Sequence, residues 1–184
     1  MFKNLLRKAF GRSNLTFHES FGFEVRDDTG KLLTPGYVWT PNRVVDQGLN
    51  YTLNAALRGE SVVSTWYIAP YASNTTPAAN ITAANFASSL TEFTNYTEAN
   101  RVTWVSDGAA TALSLVNDAA PALFTIGDGV QTTIYGAGLL SAQAKSATSG
   151  TCFAAGRLQG GGNISGLAEG YEVRIKYRVT GSSS

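Results

Sequence analysis

The sequence predicts a mainly β protein: a jelly-roll-like β-sandwich preceded by an N-terminal arm, a β-hairpin and one α-helix. Three observations carry this. Short apolar or alternating runs recur through the second half, with corners at Asp107-Gly108, Gly127-Asp128-Gly129 and Gly160-Gly161-Gly162-Asn163. The closing run YEVRIKYRV alternates Tyr171, Val173, Ile175, Tyr177 and Val179 against Glu172, Arg174, Lys176 and Arg178. One long stretch, residues 43–58, has helical spacing instead.

Residues 2–12 open the chain with Phe2, Leu5, Leu6 and Phe10 close together on a helical wheel and Lys3, Arg7, Lys8 and Arg12 mostly elsewhere. An isolated helix this short is marginal in water, so the arm is expected to order against a partner, with Phe2, Leu5, Leu6, Arg7 and Phe10 as its interface. A helix lying on a membrane surface is the competing reading, disfavoured by the arm's shortness.

Residues 17–26 and 31–39 read as two strands joined by the turn chemistry of Asp27-Asp28-Thr29-Gly30. Thr40-Pro41-Asn42 is expected to break the second strand, with Thr40 or Asn42 capping the helix that follows. In that helix Val45, Leu49, Leu53, Ala56 and Leu57 recur at three- and four-residue spacing, and Gly59 stops it. The run SVVSTWYIAPY is an apolar strand ending near Pro70. Residues 72–90 are rich in Asn, Thr and Ala, with a short helix expected over 83–90. Strands follow over residues 101–106, 112–116, 122–126, 132–140, 151–155 and 171–179. The expected divisions are an arm over 1–14, hairpin plus helix over 15–60, a β-sandwich over 61–180 and a disordered tail over 181–184.

At 184 residues the chain is one domain that buries roughly 70% of its unfolded surface. Charged residues make up 15% of it, against about 25% in ordinary soluble domains. A surface solvated by hydroxyl and amide groups, or covered by other protein, is implied. The formal net charge of +1 supplies no basic face for nucleic acid. No run of about 18 apolar residues is present, and residues 1–12 lack the apolar core of a secretory signal.

Candidate chemistry is sparse. His18 is the lone histidine and no Gly-x-Ser-x-Gly elbow occurs, so a structural or surface histidine is expected. The single cysteine, Cys152, excludes an internal disulfide and reads as a small buried hydrophobe. No cofactor or metal is expected; Asp107-Gly108 and Gly127-Asp128-Gly129 lack the ligand spacing of a calcium loop. Residues 156–163 run from strand to strand, which reads as a β-turn and not a phosphate loop. Most acids sit in turns or opposite basic neighbours; Glu92 and Glu98 form a weak candidate acid pair for glycoside hydrolysis. Trp39, Trp66, Tyr67, Tyr71, Tyr96 and Trp104 read as core or inter-subunit packing, with sugar stacking as the alternative. In the segment TNYTEANRVTW, Glu98 and Arg101 are expected to order the start of a strand and Trp104 to plug the sandwich.

Several segments together resemble small proteins encoded among the head genes of tailed bacteriophages. Gly48-Leu49-Asn50-Tyr51 and Leu53-Asn54 match a helix pattern GLNYLLD. Trp66-Tyr67-Ile68 matches a WYIGL strand, with Ala69-Pro70 replacing its Gly-Leu. Glu92, Tyr96, Glu98, Arg101 and Trp104 match a third motif, and Glu169-Gly170-Tyr171 stands where Gly-Asp is expected. These motifs are structural, covering roughly residues 21–179. The resemblance implies a capsid cement or decoration protein of podovirus type, a β-jelly-roll homo-oligomer, often a trimer, that clamps neighbouring major capsid protein subunits. It implies assembly in the host cytoplasm and a place on the virion surface, without enzymatic activity. Leu49, Tyr51, Leu53, Trp66, Tyr67, Tyr96, Glu98, Arg101 and Trp104 are then structural motif residues. A neck, tail-fibre or glycan-binding virion part is the alternative.

Overall fold

Two segments from opposite ends of the chain, Leu15–Arg26 and Glu172–Ser183, pair antiparallel along their whole lengths, Leu15 opposite Ser183 and Arg26 opposite Glu172. The structure, a computed structural model, describes residues 15–110 and 112–183. In chain order its strands are β1 (Leu15–Arg26), β2 (Val38–Pro41), β3 (Arg43–Val44), β4 (Trp66–Tyr71), β5 (Val102–Trp104), β6 (Ser114–Val116), β7 (Ala122–Thr125), β8 (Gly136–Leu140), β9 (Cys152–Arg157) and β10 (Glu172–Ser183). Helix α1 (Asp46–Leu53) lies between β3 and β4, and α2 (Ala83–Leu90) between β4 and β5. One five-stranded antiparallel sheet has the order β2-β1-β10-β6, with β7 also on β10; the second runs β3-β9-β8-β4-β5.

The sheets share one core. Phe21 and Phe23 of β1 and Ile175 and Tyr177 of β10 meet Ile68 of β4 and Leu139 of β8 there. The alternation read in YEVRIKYRV has its cause in this: Val173, Ile175 and Tyr177 face the core, while Lys176 and Arg178 reach Asp118 on the outside. The second sheet is also covered on its other face, where Tyr71, Leu140 and Cys152 pack with Phe86 and Leu90 of α2. Burial on both faces removes any need for a polar alternate, so β4 and β8 read as nearly continuous apolar runs. The helix expected over residues 83–90 is α2, its start tied by the Thr82 N–H donating to Asn85 Oδ1 at 2.7 Å.

Several expectations are corrected. The hairpin turn is as read, with the Asp27 carboxylate accepting from the Thr29 and Lys31 amides at 3.0 and 2.9 Å. Its second strand, however, starts only at Val38 and runs through Thr40 and Pro41, opposite Phe21 and Ser20. Neither Thr40 nor Asn42 caps α1. Arg43 and Val44 pair with Ala155 and Ala154 of β9, which keeps the chain extended until Val45. The α-helix then covers Asp46–Leu53 and widens into a π-helical turn, Asn54–Arg58, ended by Gly59 at φ 68°, a left-handed conformation that glycine adopts without strain. Residues 181–183, expected to be frayed, extend β10 against Leu15–Phe17. The arm, residues 1–14, lies outside the described residues.

Candidate functional site

The segment 92–104, where motif residues and charge concentrate, begins beside β4. The Phe93 amide donates to the Pro70 carbonyl at 2.9 Å, and this places Glu92 under the sheet edge. Arg101 approaches Glu92 side-on: Nε donates to Oε1 at 2.9 Å and Nη2 to Oε2 at 2.6 Å. Both residues are almost wholly buried, at 4% and 2% exposure for Glu92 and Arg101. Nη1 of Arg101 donates to the Ala142 carbonyl at 2.9 Å, and the Ser146 amide donates to Glu92 Oε2 at 3.0 Å. The pair therefore clasps the loop before β5 to the loop between β8 and β9.

Lys145 closes the clasp from the other side. Its ammonium donates to the Tyr96 carbonyl at 2.7 Å and lies 3.6 Å from the centre of the Tyr96 ring. Partial burial lowers the Lys145 pKa, and burial raises that of the Tyr96 phenol. Glu98 is not the partner of Arg101. It accepts the Thr125 amide of β7 at 3.1 Å, fixing that strand to the clasp loop. Trp104 sets its ring edge-on to Tyr177, centroids 5.9 Å apart, and its Nε1 donates to the Tyr177 carbonyl at 3.3 Å.

The chain matches no family model, no curated protein and no solved structure.

The geometry also bears on each chemical candidate. As an acid pair, Glu92 and Glu98 fail, because both Glu92 oxygens are held by Arg101 inside the protein. Tyr71 and Tyr96 are buried, which removes them as sugar platforms. Trp66 and Trp104 are register partners across β4 and β5 and line a shallow cleft of about 330 Å³ with Ser64, Thr65 and Thr103. Tyr67, next along β4, is half-buried opposite Thr103. Among the described residues, no three of His, Cys, Asp and Glu cluster as a metal site would require, and no helix is long and apolar enough to cross a membrane.

The larger reversal concerns α1. Leu49 and Leu53, read from the sequence as structural motif residues, are exposed by 50% and 56%, and Leu57 by 78%. The side of α1 that meets the body carries Val45, Gln47, Gly48 and Tyr51. Between β8 and β9 the register shifts at Leu139 and Leu140, so Phe153 is an extra residue in β9. Its carbonyl accepts the Val45 amide at 3.1 Å and lies so close to Gly48 that any Cβ there would overlap it. Gln47 Oε1 accepts the Ala83 and Cys152 amides at 2.9 and 2.8 Å, and Tyr51 packs edge-on to Trp66 with centroids 5.4 Å apart. Sequence reasoning missed Gln47 and Lys145, whose roles rest on contacts far along the chain. A signal for Gly48 was present: an isolated glycine within a helical run marks a close approach.

Beside α1 opens a cleft of about 720 Å³, lined among others by His18, Glu19, Trp39, Asn42, Leu49 and Arg178. Arg178 lies 3.8 Å from the centre of the Trp39 ring and forms an ion pair with Asp118 at 2.7 Å. Burial pushes the Glu19 carboxyl up to about 7, partly offset by a hydrogen bond from the Val44 backbone.

Proposed function

We propose that this protein is a structural component of a bacteriophage virion that binds the outer surface of the capsid and stabilises contacts between major capsid protein subunits. The observation that carries this reading is the state of the motif segment: Glu92, Arg101, Glu98, Lys145 and Trp104 are all engaged in internal bonds that lock loops to sheets. The low charge content and the resemblance of residues 21–179 support the same reading. The finer form of the fold is a jelly-roll-like sandwich, supported by sheets that interleave strands distant in sequence. The protein works as a homo-oligomer on the virion surface after assembly in the host cytoplasm. Purified protein added to expanded heads lacking it is expected to bind saturably, at a copy number stoichiometric with capsid subunits or their three-fold sites. A copy number in the tens per particle rejects the reading.

One observation favours a second reading, a glycan-binding neck or tail part. Trp66 and Trp104 share a shallow cleft with four hydroxyl-bearing side chains, those of Ser64, Thr65, Thr103 and Ser106. Binding on a glycan array, abolished in Trp104→Ala, would support it.

A further inference from the structure

We infer that the pocket between Arg43, Arg157 and the Gly160-Gly161 turn binds a phosphate-type oxyanion, a doubly charged tetrahedral group held between the two guanidinium groups. The structure describes seven arginines. Five of them, Arg26, Arg58, Arg101, Arg174 and Arg178, pair with carboxylates. The other two, Arg43 and Arg157, form no ion pair among the described residues. Both line the same pocket, of about 230 Å³.

Strand register brings the two together. Arg43 of β3 lies opposite Ala155 of β9, and Arg157 stands two residues further along β9, so both side chains leave the sheet on one face. Diagonal neighbours of this kind are about 7–8 Å apart, within reach of long side chains. The other polar side chains lining the pocket are those of Asn42 and Thr76, and no Asp or Glu lines it. Two like charges that converge without a counter-charge repel one another, and an anion between them turns that repulsion into attraction.

Arg157 is positioned without being neutralised. Its Nη2 donates to Asn74 Oδ1 and to the Gly161 carbonyl, the latter at 3.1 Å, and its guanidinium carbon lies 5.9 Å from the centre of the Tyr135 ring. All three partners are neutral. Nη1 has no acceptor among the described residues, and neither has the buried Nε. The turn folds back to Arg157 through Gly160 and Gly161 at φ 69° and 75°, where glycine is without strain. Side chains hold the anion here, unlike the backbone amides of a dinucleotide loop. The pocket is smaller than the roughly 300 Å³ at which sites for whole drug-sized ligands begin. It therefore admits free phosphate, or the terminal phosphoryl group of a larger molecule whose remainder stays outside. A carboxylate brings one charge and leaves one guanidinium unmatched, whereas a phosphoryl dianion matches both.

Isothermal titration calorimetry of the full chain with sodium phosphate, and separately with glycerol phosphate, tests this at constant ionic strength. The result is independent of whether the protein belongs to a virion. Saturable binding at one site per chain is expected. Binding of both compounds supports a pocket for the phosphoryl end of a larger molecule, and binding of inorganic phosphate alone supports a pocket for the free anion. Arg43→Gln and Arg157→Gln are each expected to lose at least about tenfold in affinity, about 1.4 kcal/mol. Arg43 is exposed, so Arg43→Gln keeps the test decisive even where Arg157→Gln disturbs the turn. Arg58→Gln removes the same charge from a site facing Glu60 and is expected to bind as the parent does. Affinity for glycerol phosphate should rise as pH rises through about 6, where a phosphomonoester loses its second proton. Absence of saturable binding with both compounds overturns the proposal. So do equal losses in Arg43→Gln and Arg58→Gln, which would trace binding to net charge, and acetate binding as tight as that of phosphate.

Discussion

Arg101 grips Glu92 through two hydrogen bonds of 2.9 and 2.6 Å, both side chains shut away from water. They lie nine positions apart in the chain, and the pair joins the loop before β5 to the loop between β8 and β9. Its desolvation is offset by the additional bonds from Ser146 and to Ala142. A pair of this kind is sensitive to the loss of one member because the survivor is left charged and unpartnered.

Arg101→Met or Glu92→Leu alone is expected to destabilise the protein by about 3–5 kcal/mol, whereas the double replacement recovers most of that loss. Urea denaturation of the four proteins in the cycle measures this. Additive losses would show that the two side chains act independently.

Glu19 makes stability pH-dependent in a defined direction. Burial raises its carboxyl from 4.5 to about 7 in the folded protein, so between those values the folded chain binds the proton more tightly than the unfolded chain. The stabilisation is full below pH 4.5 and is lost as pH rises through about 7. Thermal melts of the parent relative to Glu19→Gln should therefore show the parent losing ground between pH 5 and 8. Parallel pH profiles for the two proteins would remove Glu19 as the cause.

Gly48→Ala is expected to destabilise by about 1–3 kcal/mol, as overpacking does, although alanine favours helix formation at ordinary positions. The added methyl group overlaps the Phe153 carbonyl and lifts α1 from β9. Hydrogen exchange at Val45, whose amide donates to that carbonyl, should rise in the variant, while amides of β1 and β10 keep their protection relative to global stability.

Cys152 is buried, and burial pushes its thiol up to about 12. A thiol reagent at pH 8 should label the native protein only at the rate of its opening, and label it at once in denaturant, because the thiolate is the reactive form. Rapid native labelling would place the sulfur at the surface.

The sequence by itself determined the β character, the turn at Asp27, the inward and outward faces of the last strand, the helix over residues 83–90 and the poverty of catalytic constellations. Each is a local property: turn chemistry, a period of two, or the presence or absence of a residue type. Tertiary structure decided three things that local pattern could not. It matched Arg101 to Glu92 instead of Glu98, since an ion pair forms where the fold brings charges together and not where the chain is short between them. It turned the apolar row of α1 outward, because a bulged Phe153 carbonyl admits only Gly48 at the contact, and the close approach of backbone to backbone overrides the pull of three leucines. It also ran Thr40 and Pro41 on as strand and carried β10 through residues 181–183, because β1 offered both a hydrogen-bonding edge that no propensity of their own would have indicated.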